Sequence, residues 1–168
     1  NDLTQPQKTL AVVGAGTMGP GIAQVGLKAG CHVLLTDAKA EFVERGLDGI
    51  RTNLARGVEK GKLSSAERDA ALSRVRTFVA PTDAAHEGWS CFHEADLVVE
   101  AIVEDLEIKR KLFADLDAAT RPSCVLATNT SSLSVGRIAE SVSDPGRVLG
   151  MHFFNPAQLM PLVEIISG

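Results

Sequence analysis

The 168-residue chain has only three cysteines, and no two of them form a CxxC pair. An odd number of cysteines without that spacing argues against a disulfide framework and a zinc site, and it favours a reducing compartment. The sequence also lacks an apolar run long enough to span a bilayer, and its first residues lack the charged-then-apolar order of a signal peptide. These absences predict a cytoplasmic protein with no metal ion and no membrane partner.

An excess of positive charge is missing as well. The chain carries 17 Lys and Arg residues against 21 Asp and Glu residues, for a formal net charge of -4. This balance creates no field that attracts nucleic acid, so a positive patch has to be local and directed at a small anion. With 45% hydrophobic residues, the chain has the size and composition of one globular domain, and we assign residues 1–168 to it.

Short apolar runs alternate with amphipathic segments along the chain. Residues 9–14 predict a buried strand, residues 19–30 a helix that stops at a glycine, and residues 32–37 a second strand. Strands alternating with helices imply an α/β fold with a doubly wound, mostly parallel sheet covered on both faces. Further strands are predicted at 76–80, 96–102, 124–130, 147–153 and 162–166, and further helices at 104–119 and from Ser134 onwards.

The alternation is interrupted after the second predicted strand. Residues 40–75 predict two long helices joined around the sequence GKLSS, with Ser64 as N-cap and Glu67 completing a capping box. We interpret this segment as a helical hairpin inserted into the fold. Further along, Trp89 and Phe92 are expected to pack a loop.

Three glycines, Gly14, Gly16 and Gly19, form the pattern GxGxxG between the first predicted strand and the first predicted helix. Here Gly14 permits a tight turn, Gly16 lets backbone N–H groups approach a pyrophosphate, and Gly19 allows the helix to pack closely on the strand. The helix N-terminus, with Thr17 and Met18, then faces the anion. The pattern predicts a Rossmann-type dinucleotide site, and a plain glycine loop is the alternative.

Asp37 ends the second predicted strand. A carboxylate there accepts hydrogen bonds from the adenosine ribose hydroxyls and repels a 2′-phosphate, which favours NAD over NADP. The alternative is that Asp37 is an ordinary turn residue. The same fingerprint also serves FAD enzymes, so the nicotinamide has to be argued from residues later in the chain.

The chain resembles, in the order and spacing of four segments, the NAD-binding domain of L-3-hydroxyacyl-CoA dehydrogenases. These segments are GAGTMGPGIAQV, VVEAIVEDLEIK, ATNTSSLSV and HFFNPAQLMPLVEII. The last two are much more specific than the glycine loop, and the resemblance covers essentially the whole chain. It implies an NAD-dependent oxidoreductase of fatty-acid metabolism and β-oxidation that interconverts (S)-3-hydroxyacyl-CoA and 3-oxoacyl-CoA by hydride transfer.

The resemblance assigns the roles of catalytic base and orienter of that base to His152 and Glu164. His152 lies near the end of a predicted strand, at the edge of a doubly wound sheet where ligands collect. Glu164 lies on the next predicted strand, and a chain reversal at Asn155 and Pro156 would bring its carboxylate against the imidazole. The alternative is an ordinary strand-end histidine and an unrelated carboxylate.

The resemblance also assigns Ser131 to the substrate hydroxyl, as a further catalytic residue beside the cofactor. No GxSxG elbow surrounds Ser131, which argues against a serine hydrolase. Asn129 and Asn155 are implied as contacts of the nicotinamide ribose or carboxamide, with local turn bonding as their alternative. Ser134 is predicted to cap the following helix.

Glu104 and Lys109 match family positions near the nicotinamide ribose. The alternative is that Asp105 and Lys109 form an ordinary solvated i,i+4 ion pair at a helix start. In the inserted hairpin, Asn53, Arg56 and Lys60 share one predicted helical face that could present two cations, and Lys60 matches a family position that contacts coenzyme A. A solvated charged face is the alternative there.

Members of this family continue into a helical domain that completes the acyl pocket and forms a homodimer. The chain is expected to lack that domain, and therefore to bind NAD(H) while turning over acyl-CoA poorly. Two other functions stay open at this point. One is a β-hydroxyacid dehydrogenase of another subfamily, which generally uses a helix lysine, and the other is a non-catalytic NAD-binding sensor.

Overall fold

A computed structural model describes residues 7–80 and 87–168. The prediction that the chain has no signal peptide depends on the first six residues, which lie outside the described residues. The strands are β1 Thr9–Val13, β2 His32–Asp37, β3 Val75–Val79, β4 Leu97–Glu100, β5 Val125–Thr128, β6 Val148–Phe153 and β7 Val163–Ser167. The α-helices are α1 Gly19–Lys28, α2 Ala40–Glu59, α3 Ser65–Leu72, α4 Leu106–Ala119 and α5 Val135–Ala139.

The described strands form one seven-stranded sheet in the order β3-β2-β1-β4-β5-β6-β7. Neighbouring strands from β3 to β6 in this order are paired in parallel, and β7 pairs antiparallel with β6. This mostly parallel, doubly wound sheet confirms the predicted fold class. The strand order reverses between β1 and β4, which opens a crevice at their carboxyl ends, the usual ligand position in such sheets.

Helices cover both faces of the sheet because successive strand residues point to opposite sides. On one side Val12 of β1 packs in a core with Ile22 of α1 and Ile50 of α2. On the other side its neighbour Val13 packs in a core with Phe113 of α4. All five side chains are buried, so the sheet and its helices form two apolar cores.

The inserted hairpin consists of α2 and α3, which contact each other. Its predicted capping box is confirmed: the Glu67 N–H donates to Oγ of Ser64 at 3.1 Å, and the Ser64 N–H donates to Oε2 of Glu67 at 2.8 Å. The prediction of two long helices is wrong for the second helix. α3 has 8 residues, because the chain turns at Ser73 and then joins the sheet as β3.

The sequence predicts that Trp89 and Phe92 pack a loop, and this prediction is wrong. They lie in a 3₁₀ helix, Glu87–Glu94, and both are buried. The ring of Phe92 lies 5.2 Å from that of Trp89 and 5.5 Å edge-on from that of Phe78. A short 3₁₀ segment lacks the 3.6-residue repeat, which explains why its pattern does not indicate a helix. Among residues 7–80 and 87–168, no helix is both long and apolar enough to cross a bilayer.

Candidate active site

The glycine loop meets the end of β4 at the point where the strand order reverses. Gly14 has a φ of +106°, and a Cβ on it would lie 2.5 Å from the carbonyl oxygen of Ala101. A Cβ on Gly19 would lie 1.7 Å from the carbonyl oxygen of Gly14, so α1 packs directly against the loop. A Cβ on Gly16, by contrast, would have no described atom within 4 Å beyond its chain neighbours, and the residue is exposed. Backbone atoms therefore pack closely against the loop at Gly14 and Gly19, and the loop is open to solvent at Gly16.

The N-terminus of α1 faces this opening. Its N-cap is Met18, whose side chain makes no capping hydrogen bond within the described part of the chain, and a proline occupies the first turn. Thr17 is exposed and Met18 is half-buried. Backbone N–H groups at an uncapped helix start are suited to binding a phosphate or another anion.

Asp37 lies at the end of β2, beside the glycine loop. Its Oδ2 accepts a hydrogen bond from the N–H of Ala15 at 2.8 Å, and its Oδ1 accepts one from the N–H of Lys39 at 3.2 Å. Each carboxylate oxygen has a second lone pair, so these bonds fix the side chain and leave it able to accept from a ribose.

His152 and Glu164 lie directly opposite each other on the antiparallel strands β6 and β7. Nδ1 of His152 is 2.9 Å from Oε2 of Glu164, and the histidine ring packs against Phe154 with centroids 4.8 Å apart. Between the strands the chain reverses through Asn155, which is exposed and joined to Pro156 by a cis peptide bond. Because a carboxylate only accepts, it selects the imidazole tautomer with the proton on Nδ1 and leaves Nε2 as an acceptor.

Glu104 organises the loop that follows β5. Its Oε1 accepts hydrogen bonds from the Ser131 N–H and the Ser132 hydroxyl, each at 3.2 Å, and from the Thr130 hydroxyl. Partial burial acts to raise the pKa of Glu104, but the Thr130 hydrogen bond and the charge of Lys109 outweigh it, so the pKa lies below its usual value. Glu104 is therefore a carboxylate that fixes the exposed Ser131 loop by hydrogen bonds.

Lys109 is buried, so its interpretation as half of a solvated ion pair is wrong. Its side chain is 1% exposed, and Nζ lies 2.5 Å from Oε1 of Glu100 and 3.3 Å from Oε2 of Glu104. Asp105, the expected partner, instead caps α4 by accepting from the Ile108 N–H at 3.0 Å. Helical spacing alone could not show that this side of α4 lies against the end of β4.

Glu100 is a site residue that the sequence did not single out. Its only available signal was an acidic residue closing the apolar strand LVVE, and its side chain is 0% exposed. Of the predicted nicotinamide contacts, Asn129 accepts from the Phe153 N–H at 2.8 Å through Oδ1 and thereby ties the loop after β5 to β6.

The predicted coenzyme A contacts lie at different positions of the inserted hairpin. The side-chain amide of Asn53 donates to Oε1 of Gln24 on α1 at 3.1 Å, which joins α2 to α1. Lys60 follows the last residue of α2 as its C-cap and is exposed. Lys60 is thus available to an anion, whereas the amide of Asn53 already has a protein partner.

Comparison with known proteins identifies the family. The model of the family described as 3-hydroxyacyl-CoA dehydrogenase, NAD binding domain, matches residues 9–168. The chain is 45% identical over 161 residues to the 3-hydroxyadipyl-CoA dehydrogenase of Escherichia coli K12, covering 96% of the chain and 32% of that protein. It is 41% identical over 161 residues to a probable 3-hydroxybutyryl-CoA dehydrogenase of Bacillus subtilis, covering 96% of the chain and 53% of that protein.

Solved structures agree with this result. The (S)-3-hydroxybutyryl-CoA dehydrogenase of Ralstonia eutropha superposes with a TM-score of 0.88 at 34% identity, covering 97% of the chain and 55% of that structure. The 3-hydroxybutyryl-CoA dehydrogenase of Escherichia coli K12 gives a TM-score of 0.87 at 43% identity, covering 96% of the chain and 32% of that structure. The chain thus spans between a third and about half of these relatives. It belongs to the NAD-binding domain family of the 3-hydroxyacyl-CoA dehydrogenases, and its cofactor is NAD.

Proposed function

We propose that this domain serves an enzyme that moves a hydride between C3 of an (S)-3-hydroxyacyl-CoA and the nicotinamide of NAD. One observation carries the proposal: Nδ1 of His152 lies 2.9 Å from Oε2 of Glu164, on two paired strands of the sheet that carries the glycine loop. A histidine oriented by a carboxylate is suited to accept a hydroxyl proton. The names of the relatives, which are dehydrogenases of 3-hydroxyadipyl-CoA and 3-hydroxybutyryl-CoA, support a coenzyme A thioester as substrate.

The cofactor fits the crevice between β1 and β4. The open space at Gly16 leaves room for the pyrophosphate, and the uncapped start of α1, with Thr17 and Met18, supplies N–H groups for it. Asp37 accepts from the adenosine ribose hydroxyls and disfavours a 2′-phosphate. When bound, NAD+ supplies the hydride acceptor.

The pair of His152 and Glu164 handles the proton of the substrate 3-hydroxyl group. In the oxidative direction His152 accepts the 3-hydroxyl proton on Nε2, since Glu164 keeps the other proton on Nδ1. The adjacent carboxylate then stabilises the imidazolium that forms. In the reverse direction the same Nε2–H returns the proton to the 3-oxo oxygen.

The remaining site residues orient the reactants. Ser131 holds the substrate oxygen with its hydroxyl, while Glu104 and Lys109 support the nicotinamide ribose from the end of β4. Asn129 and Asn155 contact the nicotinamide half of the cofactor. The bond from the Phe153 N–H to Asn129 supports this grouping, because it fixes the loop after β5 beside the strand of the histidine.

The coenzyme A moiety is assigned to the inserted hairpin. Lys60 faces solvent at the end of α2 and can pair with a phosphate, and Asn53 lies on the same helix. The enzyme is further proposed to work in the cytoplasm, where its three cysteines stay reduced, and as a homodimer formed outside this domain.

A chimaera tests the reaction. Residues 9–168 replace the matching segment of the Bacillus subtilis relative, and oxidation of (S)-3-hydroxybutyryl-CoA is followed by the absorbance of the NADH that forms. We expect turnover that falls about 10³-fold in His152→Ala, since the general base is lost, with NADH affinity retained. His93→Ala is the matched control, because His93 is exposed in the 3₁₀ helix before β4, away from the carboxyl ends of the strands. A chimaera that binds NADH without turnover, or full turnover in His152→Ala, would contradict the proposal.

A further inference from the structure

Glu100 is a buried carboxylate at the carboxyl end of β4, beside the cofactor crevice. It ends β4, and its side chain is 0% exposed. Burying a carboxylate is costly unless its oxygens are paired and hydrogen-bonded. Here Oε1 accepts from the Ile102 N–H at 2.7 Å and from Lys109, and Oε2 accepts from the Thr128 hydroxyl at 2.7 Å. Both oxygens of Glu100 are thus engaged.

These partners surround the cofactor crevice. Ile102 follows β4, Lys109 lies on α4, and Thr128 ends β5 directly opposite Glu100 in the parallel register. The Thr128 hydroxyl also accepts from the Thr130 N–H at 3.3 Å, which is the start of the Ser131 loop. A single carboxylate therefore ties together three segments that meet at the site.

Lys109 is shared between two carboxylates. Its ammonium contacts Glu100 at 2.5 Å and Glu104 at 3.3 Å, so two negative charges face one positive charge. A buried ion pair offsets the cost of desolvation only when its geometry and additional hydrogen bonds are good, and Glu100 supplies both for Lys109. The second carboxylate, Glu104, is 40% exposed and uses its other oxygen to hold the Ser131 N–H. The Lys109 ammonium thus lies closer to Glu100 than to Glu104.

We propose that Glu100 is a positioning residue of the active site: it anchors Lys109 and Thr128, and through them it sets the place of Glu104 and of the Ser131 loop. Its effect on the cofactor rests on the proposed function, in which Glu104 supports the nicotinamide ribose. Its effect on the Ser131 loop does not, because that part depends only on the hydrogen bonds of the chain itself.

The test uses the 168-residue chain labelled with ¹⁵N. Glu100→Gln keeps the shape of the side chain and removes its charge, so Lys109 is expected to shift towards Glu104. The Ser131 amide signal should move, and the Kd for NADH, measured by calorimetry, should rise about tenfold, within the range known for residues that act through a neighbour. Asp96→Asn is the matched control, because Asp96 precedes the opposite end of β4 and contacts Thr9, Lys8 and Arg121.

Thr128→Val is a second variant, which removes the hydrogen bond to Glu100 and the acceptor of the Thr130 N–H without touching a charge, and it tests the link between Glu100 and the Ser131 loop if Glu100→Gln does not fold. It should move the Ser131 amide signal in the same way. An unmoved Ser131 signal in the folded variants, or an equal movement in Asp96→Asn, would overturn the proposal.

Glu104→Gln separates this inference from the proposed function. If Glu104→Gln weakens NADH binding and Glu100→Gln does not, the positioning of Glu104 by Glu100 is refuted. If the Ser131 signal moves in Glu100→Gln while neither variant changes NADH binding, the positioning role stands and the assignment of Glu104 to the cofactor is wrong.

Discussion

Replacing Glu164 by glutamine tests the catalytic pair most directly. A glutamine can turn its amide N–H₂ towards Nδ1 of His152, which favours the tautomer with the proton on Nε2 and blocks the atom that has to accept the hydroxyl proton. The distance of 2.9 Å between Nδ1 of His152 and Oε2 of Glu164 places the two side chains within hydrogen-bonding range. Glu164→Gln should therefore lower kcat and leave the binding of NADH unchanged.

The size of the loss follows from exposure. In a buried triad, the same type of change in the orienting carboxylate lowers kcat by about 10⁴-fold. Here the side chains of His152 and Glu164 are 21% and 51% exposed, so water replaces part of the orientation and of the charge stabilisation. We expect a loss of about 10²-fold, equivalent to about 2.7 kcal/mol of transition-state stabilisation.

The assay is steady-state oxidation of (S)-3-hydroxybutyryl-CoA by the chimaera, with the Kd for NADH measured in parallel. Glu94→Gln serves as control, since Glu94 is also a surface carboxylate and pairs with Arg76 at 2.7 Å in an unrelated part of the fold. If Glu164→Gln keeps more than half of the parental kcat, the role of orienter is refuted.

Further predictions concern the glycine loop and acid stability. Gly19→Ala should destabilise the chain by about 3 kcal/mol in urea unfolding, because its Cβ would lie 1.7 Å from a backbone oxygen. Gly16→Ala should change stability by less than about 0.5 kcal/mol yet raise the Kd for NADH at least about tenfold, whereas Gly49→Ala, equally open on α2, should leave that Kd unchanged. The pKa of Glu104 is lowered in the fold, so its stabilising effect is present at neutral pH and is lost as pH falls through and below its usual value of 4.5. Glu104→Gln should flatten that acid decline in unfolding free energy by no more than about 1 kcal/mol, because the side chain is partly exposed; an unchanged pH dependence would refute the ionic role.

Much of the fold could be predicted from local sequence. The strands β1 and β2 lie where apolar runs indicated them, and Ser64 caps α3 as its sequence pattern predicted. The reversal after His152 could also be predicted, because two apolar strands flank Asn155 and Pro156, but the register that places Glu164 opposite His152 comes from the pairing of β6 with β7 and not from the turn. These features depend on residues close together in the chain.

The burial of Lys109 and Glu100 could not be predicted in this way. Asp37 and Glu100 both close an apolar strand, yet Asp37 is half-buried beside a loop whereas Glu100 is covered by α4. The difference arises from where a helix packs against the sheet, which local spacing does not encode. The same packing turns a charged helical position, Lys109, into an interior cation.

The antiparallel direction of β7 constrains how this domain tolerates insertions and deletions. Side chains alternate along a strand, so adding or deleting one residue between Val163 and Glu164 within the paired region would turn the carboxylate away from His152. The same change in the connection after Pro156 leaves the pairing intact. Sequences related to this one can therefore vary the length of that connection. The number of residues in the paired segment has to stay constant, because it keeps Glu164 opposite His152.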